Sequence, residues 1–178
     1  MRSEAFLFIA ASLFACACTN APDPFPPPMQ RPAVAGETKP AEIRTFLAMS
    51  DPEAPAAIVA DVQSAVEGTG WRWTHQNPEL RFKLPDTRRW KFAIDFSLPK
   101  PNFKDTGPVT ISYFINGKLL DRVRYTAPGD LHYEKPVPAA FLEAGGYNQV
   151  RAEVDPPWIA PSDKAKLGFV LHRAGFIH

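Results

Sequence analysis

The sequence predicts an all-β fold: an antiparallel β-sandwich, jelly-roll-like, of about eight strands, preceded by a signal peptide and a proline-rich linker. Three observations carry that expectation. From about residue 54 apolar side chains recur at every second position, the period of a strand rather than of a helix. Pro, Gly and Asn interrupt this pattern about every eight to twelve residues, the spacing of sandwiches and barrels. The 178 residues hold 20 prolines against 10 glycines, which excludes long unbroken helices, because an internal proline removes a helical hydrogen bond and clashes with the preceding turn.

The first element is an address. Met1-Arg2-Ser3-Glu4 precedes an apolar run from Ala5 to Ala15, too short to cross a hydrocarbon layer of about 30 Å as a helix, so residues 1–15 read as a signal peptide. Leu13-Phe14-Ala15-Cys16 resembles the bacterial lipoprotein signal, with an aliphatic residue at −3, a small one at −1, then cysteine. In that family the thiol is alkylated with diacylglycerol, the peptide is cut before the cysteine, and the new amine is acylated. The resemblance implies lipidation at Cys16; Ala15-Cys16-Ala17 also fits an A-x-A site of ordinary secretion with cleavage before Cys18, and Cys18 itself is the alternative acceptor. Ala17 rather than Asp after Cys16 resembles the pattern of lipoproteins sent to the outer membrane, facing periplasm or exterior, and more than one acyl chain makes such an anchor stable. The chain has 2 cysteines, so the remainder has no thiol for a disulfide, a metal or a nucleophile.

Residues 16–40 form the lipid-anchored linker. Pro22, Pro24, Pro26, Pro27, Pro28, Pro32 and Pro40 favour extended polyproline II at about 3.1 Å per residue, a stiff spacer. The domain then occupies 41–178. Its first part, with Ile43, Phe46 and Leu47, fits either a short helix or an edge strand. Trp71–His75 and Leu80–Leu84 are two period-two runs separated by Asn77-Pro78. Lys91–Leu98 places Phe92, Ile94, Phe96 and Leu98 on one face. Val109–Ile115 and Lys118–Tyr125 flank Asn116-Gly117, a type I′ hairpin turn that needs positive φ at both positions; Leu119, Asp121, Val123 and Tyr125 share one face of the second strand. Further strands fall at 131–137, 147–154 and 166–177, with Val150, Ala152 and Val154 inward and His172 on the face of Val170 and Phe176. Only Pro138–Glu143 suggests a helical turn.

Charge and motifs bound the function. With Lys+Arg 20 against Asp+Glu 19 the net charge is +1, which excludes a general nucleic-acid-binding surface. There is no G-x-S-x-G, H-E-x-x-H, P-loop or dinucleotide fingerprint, and His75, His132, His172 and His178 lack zinc-ligand spacing. No cofactor, metal or catalytic residue is assigned; a hydrolase would need carboxylates from separate strands, such as Asp95 and Asp121. The ending from Asp155-Pro156-Pro157-Trp158 through Lys166-Leu167-Gly168-Phe169 to Gly175-Phe176 resembles the terminal segment of β-sandwich accessory domains found beside bacterial glycan-handling enzymes, which implies a binding role.

Aromatic faces suit sugar C–H groups, and Trp71 and Trp73, two apart on one strand face, would form a stacking platform. The other reading places them in the core, where large aromatics dominate. Arg72, Arg124 or Asp95 would bond hydroxyls, Arg122 joins Arg124 as a candidate ligand-binding cation, and Trp90 and Trp158 are expected to be partly exposed. Arg81, Lys83, Arg88, Arg89 and Lys91 form a cationic stretch that would either meet an anionic partner or remain solvated. The sequence therefore points to a non-catalytic envelope protein, attached to a membrane by lipid, whose partner is a glycan. An envelope protein, with this chain as a structural subunit of its complex, is the alternative.

Overall fold

The computed structural model describes residues 44–178, within a unit spanning Pro40–His178. The signal peptide, Cys16, Cys18 and the linker to residue 40 lie outside the described residues. Among the described residues ten strands follow one another: β1 (Phe46–Ala48), β2 (Ile58–Val62), β3 (Arg72–Lys83), β4 (Lys91–Leu98), β5 (Val109–Ile115), β6 (Lys118–Tyr125), β7 (Gly129–Pro136), β8 (Tyr147–Asp155), β9 (Trp158–Ile159) and β10 (Lys166–Ile177). All their pairings are antiparallel. The main path runs β6-β5-β8-β3-β10-β4-β7 and folds over at β3 into a sandwich. Its front sheet holds β1, β4, β7, β9, β10 and the start of β3; its back sheet holds β2, β5, β6, β8 and the end of β3.

The two runs expected on either side of Asn77-Pro78 are one strand. Arg72–His75 pairs with β10, Glu79–Lys83 pairs with β8, and Pro78 stands where β3 leaves one sheet for the other. A proline has no N–H for a ladder, so the crossover is the place in this strand where it costs least.

The core fills the space between the sheets. Phe92, Ile94, Phe96 and Leu98 from β4 meet Ile111, Tyr113 and Ile115 from β5, Val150, Ala152 and Val154 from β8, and Phe169, Leu171 and Phe176 from β10. The expected alternation holds along β4 and β8 because a half-buried antiparallel strand repeats every two residues. The Asn116-Gly117 turn has the φ values that turn demands, 48° and 75°.

Two irregularities break the alternation. An extra residue in β6 opposite Tyr113–Phe114 turns Leu119 outward, 49% exposed, and packs Leu120 against the core. In β10 the register shifts between Leu171 and Arg173, so His172 and Phe176 no longer share a face. One bulge residue reverses every side chain beyond it.

Three short helical pieces connect the strands: α1 (Ala54–Ala57), α2 (Lys100–Thr106) and a 3-10 turn at Ala139–Phe141. The last falls within the predicted helical turn. The prediction did not include α2, which has proline in its first turn, where none of the N–H groups has a helical partner, and which stops at Gly107 with φ 74°.

The ends of the sheet path meet through side chains. The Tyr113 and Tyr133 rings stack at 4.1 Å, the Tyr113 and Tyr125 hydroxyls lie 2.9 Å apart, and Asp121 accepts from Tyr133 at 3.2 Å and from Lys135 at 2.8 Å. Burial pushes the Tyr113 and Tyr133 phenols well above their usual range, so both serve as neutral hydrogen-bonding groups.

Candidate functional site

Directly paired residues project to the same side of a sheet, so the register defines the outer face of the front sheet. One row crosses four strands: Trp73 on β3, Val170 on β10, Ser97 on β4 and Asp130 on β7. At about 4.8 Å per strand it spans about 14 Å. The next row is Arg173, Asp95 and His132. The β10 bulge inserts His172 beside Arg173, so two consecutive residues serve one face. An unbulged strand would have sent one of them into the core.

The side chains form two connected groups. Asp95 accepts from Arg173 and from His132 Nδ1, each at 2.6 Å, and His132 Nε2 lies 3.6 Å from Glu134, which is held by Lys91 at 2.8 Å. Ser97 Oγ contacts Asp130 at 2.5 Å and His172 Nε2 at 2.6 Å. Burial opposes ionisation of Asp95, but hydrogen bonds from His132 and Arg173 outweigh it and hold the carboxyl below its ordinary value. The same bond to Asp95 raises His132 against a smaller opposing effect of burial. Asp95, Asp130, His132, His172 and Arg173 line an open groove of about 400 Å³, with Phe96 and Leu131.

This geometry suits binding better than turnover. A serine nucleophile needs histidine as base and the carboxylate on the other imidazole nitrogen. Here Asp130 contacts the serine itself, so a hydroxyl proton given to Asp130 leaves His172 Nε2 as donor and unable to act as base. Asp95, ionised and already paired twice, is unsuited to act as the general acid of glycoside hydrolysis, which needs a raised pKa. Asp121 is engaged by Tyr133 and Lys135 and is not among the residues of this groove.

The structure disperses the residues singled out from the sequence. Trp71 and Trp73 are both half-buried and neither belongs to the core cluster. Their rings meet edge to face, 6.0 Å apart at 88°, so they make a corner in which one ring at a time can lie flat against a sugar, not a coplanar platform. Outward Trp71 and Trp73 force Arg72 inward: it is 4% exposed, and its guanidinium donates to the carbonyls of Met49 at 3.0 Å, Gln63 at 3.3 Å and Ser64. The expectation that Arg72 flanks a ligand is corrected by strand parity. Trp90 is likewise buried, 4% exposed, with its N–H on the Asp86 carbonyl at 3.0 Å and its ring against His178 at 3.8 Å.

Trp158 is half-buried, as expected, and donates to Asp105 at 2.9 Å beside α2; it lines a small hollow with Phe103 and Asn102 rather than the groove. Arg122 and Arg124 stand on the outer side of the back sheet. The cationic stretch divides between the sheets, Arg81 stacking over Tyr147 of β8 and Lys91 pairing with Glu134 of β7. Ser97, Asp130, His132 and Arg173 were missed, because a register across four strands has no signal in one sequence. Among the described residues no group of three or more His, Cys, Asp or Glu could hold a metal ion, and no helix is long and apolar enough to cross a membrane.

No family model matches the chain, and no curated protein matches it. Among solved structures it is similar to a family 35 carbohydrate binding module from Clostridium thermocellum, at 12% identity and a TM-score of 0.43, covering 75% of this chain and 98% of that one. It is also similar to CBM35 from Paenibacillus barcinonensis, at 10% identity and TM-score 0.40, covering 76% and 99%. A third is Xyl-CBM35 in complex with a glucuronic acid containing disaccharide, at 12% identity and TM-score 0.41, covering 76% and 94%.

Proposed function

We propose that the chain is a non-catalytic, lipid-anchored module of the cell envelope that binds glycan across the front face of its sandwich. The observation that carries this reading is the register that sets Trp73, Ser97 and Asp130, with Val170 buried between them, on one side of the front sheet, which puts the aromatic corner on the same face as the groove of hydrogen-bonding side chains. Sugars present both an apolar C–H face and a rim of hydroxyls. An aromatic edge beside polar groups serves both in one pose, and a row of about 14 Å suits an oligosaccharide better than a single ring. Asp95 and Arg173, already locked together, are pre-organised to accept from and donate to hydroxyls, so binding has little side-chain ordering left to do.

The deciding experiment is binding of the full chain, in detergent, to an array of defined oligosaccharides. The Trp71→Ala/Trp73→Ala pair should lose front-face binding, and binding at that face undiminished by the pair refutes the reading. For the anchor, Cys16→Ala should move the protein from the outer-membrane fraction to the soluble fraction. An unchanged membrane fraction assigns the lipid to Cys18 or refutes lipid attachment at this position.

A further inference from the structure

The back sheet carries a second arrangement that the front-face reading does not use. Across its outer side the register sets two successive rows of the same kind: Glu153, Ser112 and Arg122, then Asp155, Thr110 and Arg124, taken in each case from β8, β5 and β6. A large acid, a small hydroxyl and an arginine recur in step. The result is a trench running along β5, with Ser112 and Thr110 as its floor, carboxylates on one wall and guanidinium groups on the other. Glu153, Ser112, Thr110, Arg122 and Asp155, with Gln76 and Asn77 of β3 beside the β8 wall, enclose about 480 Å³.

The walls do not neutralise each other by contact. They stand two strand spacings apart, about 10 Å, and Arg122 instead donates from Nε to Ser112 Oγ at 3.0 Å, which holds its side chain over the buried floor residue. Among the described residues no salt bridge uses Arg122, Arg124 or Asp155; Glu153 is paired with Arg151 on its own strand. The outer end of Gln76 is fixed by its bond to the Val154 carbonyl at 3.2 Å.

We infer that this trench is a second carbohydrate site, which holds a neutral, hydroxyl-rich polysaccharide strand lengthwise along β5. Arg122 and Arg124 are balanced by Glu153 and Asp155, and Arg151, which pairs with Glu153, is balanced by Glu79 opposite it on β3, so the trench has no net attraction for an anionic or cationic polymer. A hydroxyl both donates and accepts. A chain with hydroxyls on both edges therefore gives protons to Glu153 and Asp155 on one side and accepts from Arg122 and Arg124 on the other. The front groove and the trench lie on opposite sides of the sandwich, so one molecule would hold two glycan strands at once. The inference stands apart from the front-face reading, since it uses none of the same residues.

Oligosaccharides that bind the full chain on the array are titrated calorimetrically into the wild type, the Arg122→Gln/Glu153→Gln pair and the Trp71→Ala/Trp73→Ala pair, with the thermal midpoint of each recorded. Two sites per chain are expected in the wild type, and one in each pair. Neutralising one residue of each wall should weaken the trench site tenfold or more, enough to leave only the front site resolved in the titration. The wild type should also precipitate a long polymer of the bound sugar, and each pair should not.

A single site abolished by the tryptophan pair and unaffected by the trench pair overturns the second site. Sites lost only with the trench pair support it and refute the front-face reading instead. Capture of anionic polymers, with neutral ones ignored, overturns the neutral assignment, and no binding on the array overturns both sites. If the Arg122/Glu153 pair is unfolded, Arg124→Gln alone, at an exposed position opposite Thr110, gives the same test.

Discussion

Arg72 separates a ligand-binding role from a structural one. Its guanidinium is buried, has no carboxylate partner among the described residues, and donates to three backbone carbonyls, those of Met49, Gln63 and Ser64. These belong to two segments outside β3, so the side chain ties the chain on either side of α1 and β2 to the front sheet. Truncation in Arg72→Ala removes at least two charge-assisted bonds, at about 1.5–3 kcal/mol each, and leaves carbonyls facing a gap. Partial access of water to that gap returns some of the loss, so the net destabilisation should be about 3 kcal/mol. In a domain of this size about 3–4 °C is lost per kcal/mol, which puts the fall in thermal midpoint near about 10 °C.

Arg72→Lys should recover less than half, because one ammonium cannot meet three carbonyls in the fork geometry of arginine. Thermal unfolding followed by circular dichroism, with glycan binding measured on the folded fraction, checks both halves of the argument. A midpoint unchanged within about 2 °C, together with lost binding, would show that Arg72 contacts ligand and that the parity argument is wrong.

Other outcomes follow from the same geometry. Gly175 has φ 146°, and a Cβ there would sit 2.1 Å from the Thr45 carbonyl oxygen; Gly175→Ala should cost roughly 2–4 kcal/mol in urea unfolding through backbone strain and overpacking at β1. Leu120→Ser should cost about 1–2 kcal/mol while Leu119→Ser stays within about 0.5 kcal/mol, because the β6 bulge buries one and exposes the other; equal costs would refute that register. His132, raised by Asp95, adds stability that is complete below its ordinary value of 6.5 and is lost as pH rises through the higher folded value. Asp95, lowered, adds stability that is present above 3.8 and is lost as pH falls through its folded value. The ladder should therefore contribute most between those two values, and His132→Gln should flatten the loss on the alkaline side, by no more than about 1 kcal/mol for so exposed a pair.

What the sequence determined by itself is local. Alternation in β4 and β8 and the Asn116-Gly117 turn were legible because strand period and turn chemistry depend on neighbours a few residues away. The front-face site was legible only in its tryptophans and Asp95. Even there the same alternation that put Trp71 and Trp73 on one face already required Arg72 to point the other way.

Tertiary structure decided the rest. Pro78 marks a crossing between sheets rather than a break between strands, because its place depends on what lies on either side of β3. Single extra residues in β6 and β10 moved Leu119, Arg173 and Phe176 to faces that uninterrupted alternation would not give them. The groove and the trench are assembled from strands up to a hundred residues apart. Which side chains meet there is set by register, and register is fixed by the packing of the whole core.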